Sequence, residues 1–130
     1  MPERSQDKSL SHITPAQWLH LELMKLASFN HFEGKKVVDD LLALPHLWRS
    51  AMMGNFGKSL DLLALRDMDK GVYLVDTLML ITTDWHANDL KGLAHRWNPD
   101  EVWWLTRKET SQNLGVSRPG RLRILRVWWG

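Results

Sequence analysis

Apolar positions recur along this chain in short blocks of helical spacing, divided by residues that favour turns and caps. Thr14-Pro15 predicts a helix start, with an N-cap hydroxyl followed by proline at the first helical position. Trp18, Leu19, Leu21, Leu26 and Phe29 follow at roughly helical intervals. Asn30-His31-Phe32-Glu33 resembles a capping box, and Val37, Val38, Leu41, Leu42 and Leu44 form the stripe of a second helix. Pro45 breaks or kinks that helix, because it disfavours α geometry at Leu44. Leu47, Trp48, Ala51 and Met52 predict a short helical face, and Gly54-Asn55-Phe56-Gly57 a loop. The run from Leu60 to Leu65 is too short to assign by period.

Farther on, Val72, Val75, Leu78, Met79, Thr82 and Trp85 recur at spacings of three and four. They predict a one-sided helix with Asp69 as its cap. A buried strand pair hinged at Asp69-Lys70-Gly71 is the competing reading, but the run is long for a strand and holds no turn signal. Asn88 caps a short helix bearing Leu90, Leu93, Ala94 and Trp97. Asn98-Pro99-Asp100-Glu101 combines an N-cap, proline at N1 and two first-turn acids, so a helix should run from there to about Asn113. Gly115 is its expected left-handed terminator. From Val116 to Gly130 the character changes: Pro119-Gly120 marks a turn, and Leu122, Ile124, Val127 and the last tryptophans favour an extended or strand-like arm.

The pattern therefore predicts a mainly α protein, a single compact bundle of five to seven short helices with the Val72–Trp85 helix most buried. Residues 1–12 are expected to be a flexible tail and 13–130 one helical domain, with 116–130 as its C-terminal arm.

Composition adds one constraint. Eight tryptophans occur in 130 residues, four of them as the adjacent pairs Trp103-Trp104 and Trp128-Trp129. Neighbours on a helix or strand point in different directions, so one face cannot bury both members of a pair. One of each pair is expected at a rim, in a second layer or against another molecule. There is no cysteine, so packing alone must hold the fold, which fits a reducing cytoplasm. No secretory leader opens the chain, and no apolar run approaches the ~20 residues that span a bilayer, so a cytoplasmic protein without a membrane partner is expected.

Charge is uneven. Residues 1–95 carry 10 Lys and Arg against 12 Asp and Glu, a net −2, whereas residues 96–130 carry 7 against 3, a net +4. A basic end on a mildly acidic body suits a partner rich in phosphates or carboxylates.

Most catalytic motifs fail on spacing. Gly54-Asn55-Phe56-Gly57-Lys58-Ser59 looks like a phosphate loop but has two residues between its glycines, where the P-loop needs four. His12, His20, His31, His46, His86 and His95 show no pair at zinc-ligand spacing. Asp84, His86 and His95 are the most plausible set for a small enzyme or metal protein, yet no catalytic residue, metal site or cofactor is assigned.

Two resemblances enter. Leu114-Gly115-Val116-Ser117-Arg118-Pro119 resembles the turn of bacterial helix-turn-helix proteins, with Ser111 at the small-residue position and Arg118 opening the recognition helix. Gly120 inside that helix and Arg121 at a normally aliphatic position depart from the pattern. The resemblance implies DNA binding by a degenerate motif near residues 102–126. Separately, the order from Leu21 to Pro99 is similar to a family of small uncharacterised proteins from proteobacterial conjugative elements and plasmids. The similarity lies in the leucine-rich first helix, Gly34-Lys35-Lys36-Val37-Val38-Asp39-Asp40-Leu41-Leu42, Leu60-Asp61-Leu62 leading to Asp69, and Arg96-Trp97-Asn98-Pro99. It implies an all-helical fold and a mobile-element setting, and carries over no functional residue.

The resulting expectation is a non-enzymatic accessory or regulatory protein that docks on another macromolecule through its Arg/Trp-rich end. One version is an inhibitor of a host protein. Trp103, Trp104, Arg107, Arg118, Arg121, Arg123, Arg126, Trp128 and Trp129 are the residues expected to carry the contact, because Arg and Trp dominate binding hot spots. The partner is another protein or a second copy; nucleic acid is the alternative, with phosphates at the arginines and bases on the indoles.

Overall fold

A computed structural model describes residues 12–29, 31–54, 65, 67–71, 73 and 75–130. Most of the expected tail, most of the Gly54–Ser59 loop and most of the Leu60–Leu65 run lie outside the described residues. Thr14 opens helix α1 (Pro15–Met24) by accepting the Gln17 N–H at 3.1 Å. Two short strands, β1 (Ser28–Phe29) and β2 (Phe32–Glu33), pair antiparallel and lead into α2 (Gly34–Ala43). The capping box expected at 30–33 is not used: Glu33 is the N-cap without a side-chain cap bond, and Asn30 lies outside the described residues. Gly34 is there for room. A Cβ would lie 1.9 Å from the Met24 carbonyl oxygen and 2.7 Å from that of Ala27.

Pro45 ends α2 as expected and begins a 3-10 turn over Pro45–Leu47. The chain then forms β3 (Ser50–Gly54), β4 (Thr77–Thr83), a 3-10 turn at Asp84–His86, α3 (Ala87–His95), β5 (Glu101–Trp104), α4 (Arg107–Leu114) and β6 (Leu122–Trp128). The mainly α expectation, and the all-helical fold implied by the plasmid-protein resemblance, are thereby corrected: the fold is mixed α/β. Its sheet is antiparallel in the order β3-β4-β6-β5. Helices α1, α2 and α3 pack on one face, where Leu78, Leu80, Leu125 and Val127 are buried with Leu21, Val38, Leu41 and Leu90.

Each mistaken helix has a physical reason. Val72–Trp85 reads as helical because β4 is a central strand with apolar residues on both faces. Leu78, Leu80 and Thr82 point to the core, Met79 and Ile81 away from it, so period two is hidden in a continuous run. Its β-branched residues, Thr77, Ile81, Thr82 and Thr83, suit a pleated surface. The expected Leu47–Met52 face is instead the entry to β3, whose Ala51 pairs with Leu80. Asn98 does not cap a helix; it takes a left-handed turn (φ 55°), and Asp100 donates its N–H to the Trp128 carbonyl at 2.8 Å to begin the β5–β6 ladder. The real cap is Thr106, which forms a capping box with Glu109. Helix α3 likewise starts at Ala87 with His86 at its N-cap, two residues before the expected cap Asn88. Gly115 does terminate α4 in left-handed geometry (φ 67°). No second helix follows it, so the helix-turn-helix expectation is corrected: residues 116–121 turn the chain into β6.

Three indoles lock the helical layer to the sheet. Trp48 Nε1 donates to the Leu41 carbonyl at 2.7 Å, Trp97 Nε1 to Asp40 Oδ2 at 2.9 Å, and Trp129 Nε1 to the Trp97 carbonyl at 2.9 Å. Trp129 also meets Phe32 edge-on at 4.6 Å between centroids. Each ring buries a large apolar area while its N–H finds an acceptor.

The open edge of β3 is capped by side chains of α1. Gln17 donates Nε2–H to the Ala51 carbonyl at 2.8 Å and accepts the Ala51 N–H at 2.9 Å, imitating a strand neighbour. His20 Nε2 accepts the Met53 N–H at 2.8 Å. This satisfies the groups that would otherwise template pairing with another chain. The acceptor role requires a neutral ring, and burial pushes the His20 pKa below its ordinary value.

Two predictions follow from this packing. Gly34→Ala should destabilise the fold by about 1–3 kcal/mol in urea denaturation, because the new methyl overpacks against backbone that cannot yield cheaply. For His20, the unfolded chain takes up its proton first as pH falls below about 6.5. Stability from this group is thus complete above that pH and declines below it, towards the lowered folded-state pKa. His20→Gln, which keeps an acceptor but does not titrate, should flatten that decline in denaturation series run at stepped pH.

Candidate functional site

Strands β3 and β6 both run antiparallel to β4, so both begin beside the end of β4. The residues immediately before them are Arg49 and Arg121. Arg49 N–H donates to the Ile81 carbonyl at 2.7 Å on one side of β4, and Asp84 N–H donates to the Arg121 carbonyl at 3.1 Å on the other. The 3-10 turn that precedes β3 brings His46, and the one that follows β4 brings Trp85 and His86. Topology thus gathers two guanidinium groups, two imidazoles and an indole from three separate stretches of sequence.

They line a cleft of about 630 Å³, together with His12, Pro45, Trp48, Thr82, Thr83 and Leu122. Among the described residues no carboxylate lines it. Asp84, next to Trp85 in the sequence, is engaged by Arg123 at 3.3 Å. The rings of His46 and His86 meet edge-on, 5.6 Å between centroids, and His12 meets Trp48 in the same manner at 5.1 Å. Arg121 lies over the Trp85 ring at 5.3 Å, yet Trp85 is 75% exposed. The floor is already committed: Trp48 Nε1 is bonded to Leu41, and the Thr82 hydroxyl donates to the Leu47 carbonyl at 2.7 Å. The polar character of the cleft therefore comes chiefly from its cationic and imidazole groups.

The residues expected to carry a partner do not share one surface. Alternation along β5 and β6 sends them to opposite faces of the sheet. Trp103 pairs with Arg126 on the face away from the core, 5.5 Å from ring centroid to guanidinium carbon, and Arg126 Nε approaches Met79 Sδ at 3.1 Å. Trp128, two residues on from Arg126, belongs to that same face and is half-buried. Trp104 and Arg123 lie on the core face, in contact at 4.4 Å. Trp129 is wholly buried. Arg118 is exposed in the loop after α4. Arg107 acts as a brace: its Nη1 donates to the Gly120 carbonyl at 3.1 Å, fixing the turn that presents Arg121. Of the nine, only Arg121 lines the cleft.

Asp84, His86 and His95 are not brought together: His86 lines the cleft, Asp84 faces Arg123, and His95 sits at the exposed end of α3. Among the described residues no cluster of three or more His, Asp or Glu side chains could hold a metal. Arg49, His46 and Trp85 were missed as a group. Their signal was weak, since Trp85 was absorbed into a supposed helical stripe and Arg49 stands alone in an apolar stretch.

Away from the cleft, an apolar groove of about 350 Å³ crosses the other face of the sheet, between Met52, Met79, Ile81, Ile124 and Leu114. Among the described residues no helix is long and apolar enough to cross a membrane. No family model, curated protein or solved structure matches the chain.

The brace at Gly120 can be checked directly. Arg107→Ala should leave global stability within about 1 kcal/mol, as expected for one exposed hydrogen bond. It should also speed hydrogen exchange at the Leu122 amide, which is bonded to the Pro119 carbonyl across that turn.

Proposed function

We propose that this chain is a non-enzymatic binding protein that grips a nucleic-acid strand at the cleft between Arg49, Arg121 and Trp85. The observation that carries the reading is a cleft lined by two arginines and three histidines, with no carboxylate among the described residues, beside a solvent-exposed indole. Guanidinium groups match phosphate oxygens in fork geometry and keep their charge at any working pH. An exposed ring offers a stacking surface that any base can use, so binding tolerates sequence. A protein partner is supported less well, because the Arg/Trp residues of the C-terminal end are divided between the two faces of the sheet. The division leaves Arg121, its brace Arg107 and the β6 entry turn as the contribution of that end to binding.

Fluorescence anisotropy with a labelled single-stranded oligonucleotide tests this. Affinity should fall steeply as salt rises from about 50 to 200 mM, as counterion release requires. Arg49→Ala and Arg121→Ala should each weaken binding and reduce the salt slope by about one. Both side chains are exposed, so the variants should unfold at the wild-type denaturant midpoint. The strand should keep its full length after incubation. Affinity indifferent to salt and to both substitutions would remove nucleic acid as the partner and favour a protein; a shortened strand would remove the non-enzymatic reading.

A further inference from the structure

The cleft is more specific than a basic surface, and we infer that it seats a single nucleoside monophosphate unit, with the phosphate monoester between Arg49 and Arg121 and the base against Trp85. This deepens the reading above and rests on the cleft being the binding site. Three observations carry it.

The first is size and the built floor. About 630 Å³ falls within the range of pockets that enclose one small ligand. Its floor is built from Trp48 and Thr82, whose polar hydrogens are already bonded to the Leu41 and Leu47 carbonyls.

The second is charge. A phosphate monoester carries about −1.5 to −2 near neutral pH, whereas a diester within a strand carries one negative charge. Arg49 and Arg121 approach from opposite sides of β4 and supply two permanent positive charges. The neighbouring acid Asp84 is held by Arg123 at 3.3 Å. The His46 and His86 rings add N–H donors on the same wall. Such a donor set suits a dianion better than a passing diester.

The third is the indole. Trp85 presents 75% of its surface to solvent while Arg121 lies against its ring. The guanidinium thus sits beside the stacking surface, 5.3 Å from the ring centroid. A base stacked on Trp85 and a phosphate at Arg121 would thus be held by adjoining groups.

The test uses the full chain and its tryptophan fluorescence, with calorimetry as a second readout. The probes are a nucleoside 5′-monophosphate, the same nucleoside without phosphate, inorganic phosphate, and short oligothymidylates with 5′-phosphate, 3′-phosphate or hydroxyl ends. The monophosphate should bind and displace the oligonucleotide, with the nucleoside and inorganic phosphate each weaker by about tenfold or more, as loss of the charge-assisted bonds or of one stacked base entails. A phosphorylated end should bind about tenfold tighter than a hydroxyl end, as one added charge-assisted contact entails. Trp85→Leu should lower affinity for the monophosphate about tenfold, the loss of one stacked base, and leave inorganic phosphate unchanged. If phosphorylated and hydroxyl-ended strands bind equally and the monophosphate does not compete, the inference is overturned, while strand binding at the cleft survives. If the monophosphate binds and the strands do not, the reading as a strand binder falls and the unit recognised is a free nucleotide.

Discussion

The seven-residue antiparallel pairing of β4 with β6 is the constraint on which the rest of this structure depends. It runs from Thr77 opposite Trp128 to Thr83 opposite Leu122 and forms the centre of the sheet. In that register Leu78, Leu80, Leu125 and Val127 all reach the helical layer and are fully buried. With Leu78 and Leu80 kept inward, a slip of β6 by one residue would exchange Leu125 and Val127 for Ile124 and Arg126, placing a guanidinium in the core. The cost of desolvating that charge without a partner enforces the register more strongly than the ladder hydrogen bonds do. Trp129 secures the same register from outside the strand, since its N–H donates to the Asp76 carbonyl and its indole to Trp97.

From that register the cleft follows. The loops before β3 and β6 must start level with the end of β4, so Arg49 and Arg121 flank it. The 3-10 turns on either side supply the two histidines and Trp85. Apart from His46 with Arg49 and Trp85 with His86, none of these groups is close to the others in sequence. What they share is one end of the sheet, and the bonds between Arg107 and Gly120 and between Thr82 and Leu47 hold the walls in place. The tryptophans divide accordingly. Trp48, Trp97 and Trp129 are structural, each with its N–H satisfied in the interior, while Trp85 remains at the surface beside an arginine. Its exposed indole brings no burial to the fold and leaves a ring face beside the cationic wall of the cleft.

Several features were legible along the chain because they depend only on neighbours. The Thr14-Pro15 helix start, the break at Pro45, the left-handed Gly115 and the strand-like character of the C-terminal arm are all set by local backbone chemistry. So was the impossibility of burying both members of a tryptophan pair on one face: Trp129 is in the core and Trp128 on the far side of the sheet. The Thr106–Glu109 capping box was equally readable, but the stronger-looking Asn98-Pro99-Asp100-Glu101 signal concealed it.

Tertiary structure alone decided the rest. Val72–Trp85 carries a spacing compatible with a helix, and only the presence of β3 and β6 on either side, with apolar layers above and below, makes its central part a strand. Asp100 sits in a helix-start pattern, but its partners are the Trp128 carbonyl and the Gly130 amide, which pairing with β6 brings within reach. The cleft was invisible for the same reason. Local sequence determines which residues can cap, turn or extend; it does not determine which distant arginine and indole will share the end of one sheet, because that depends on long-range pairing energy and not on any window of neighbours.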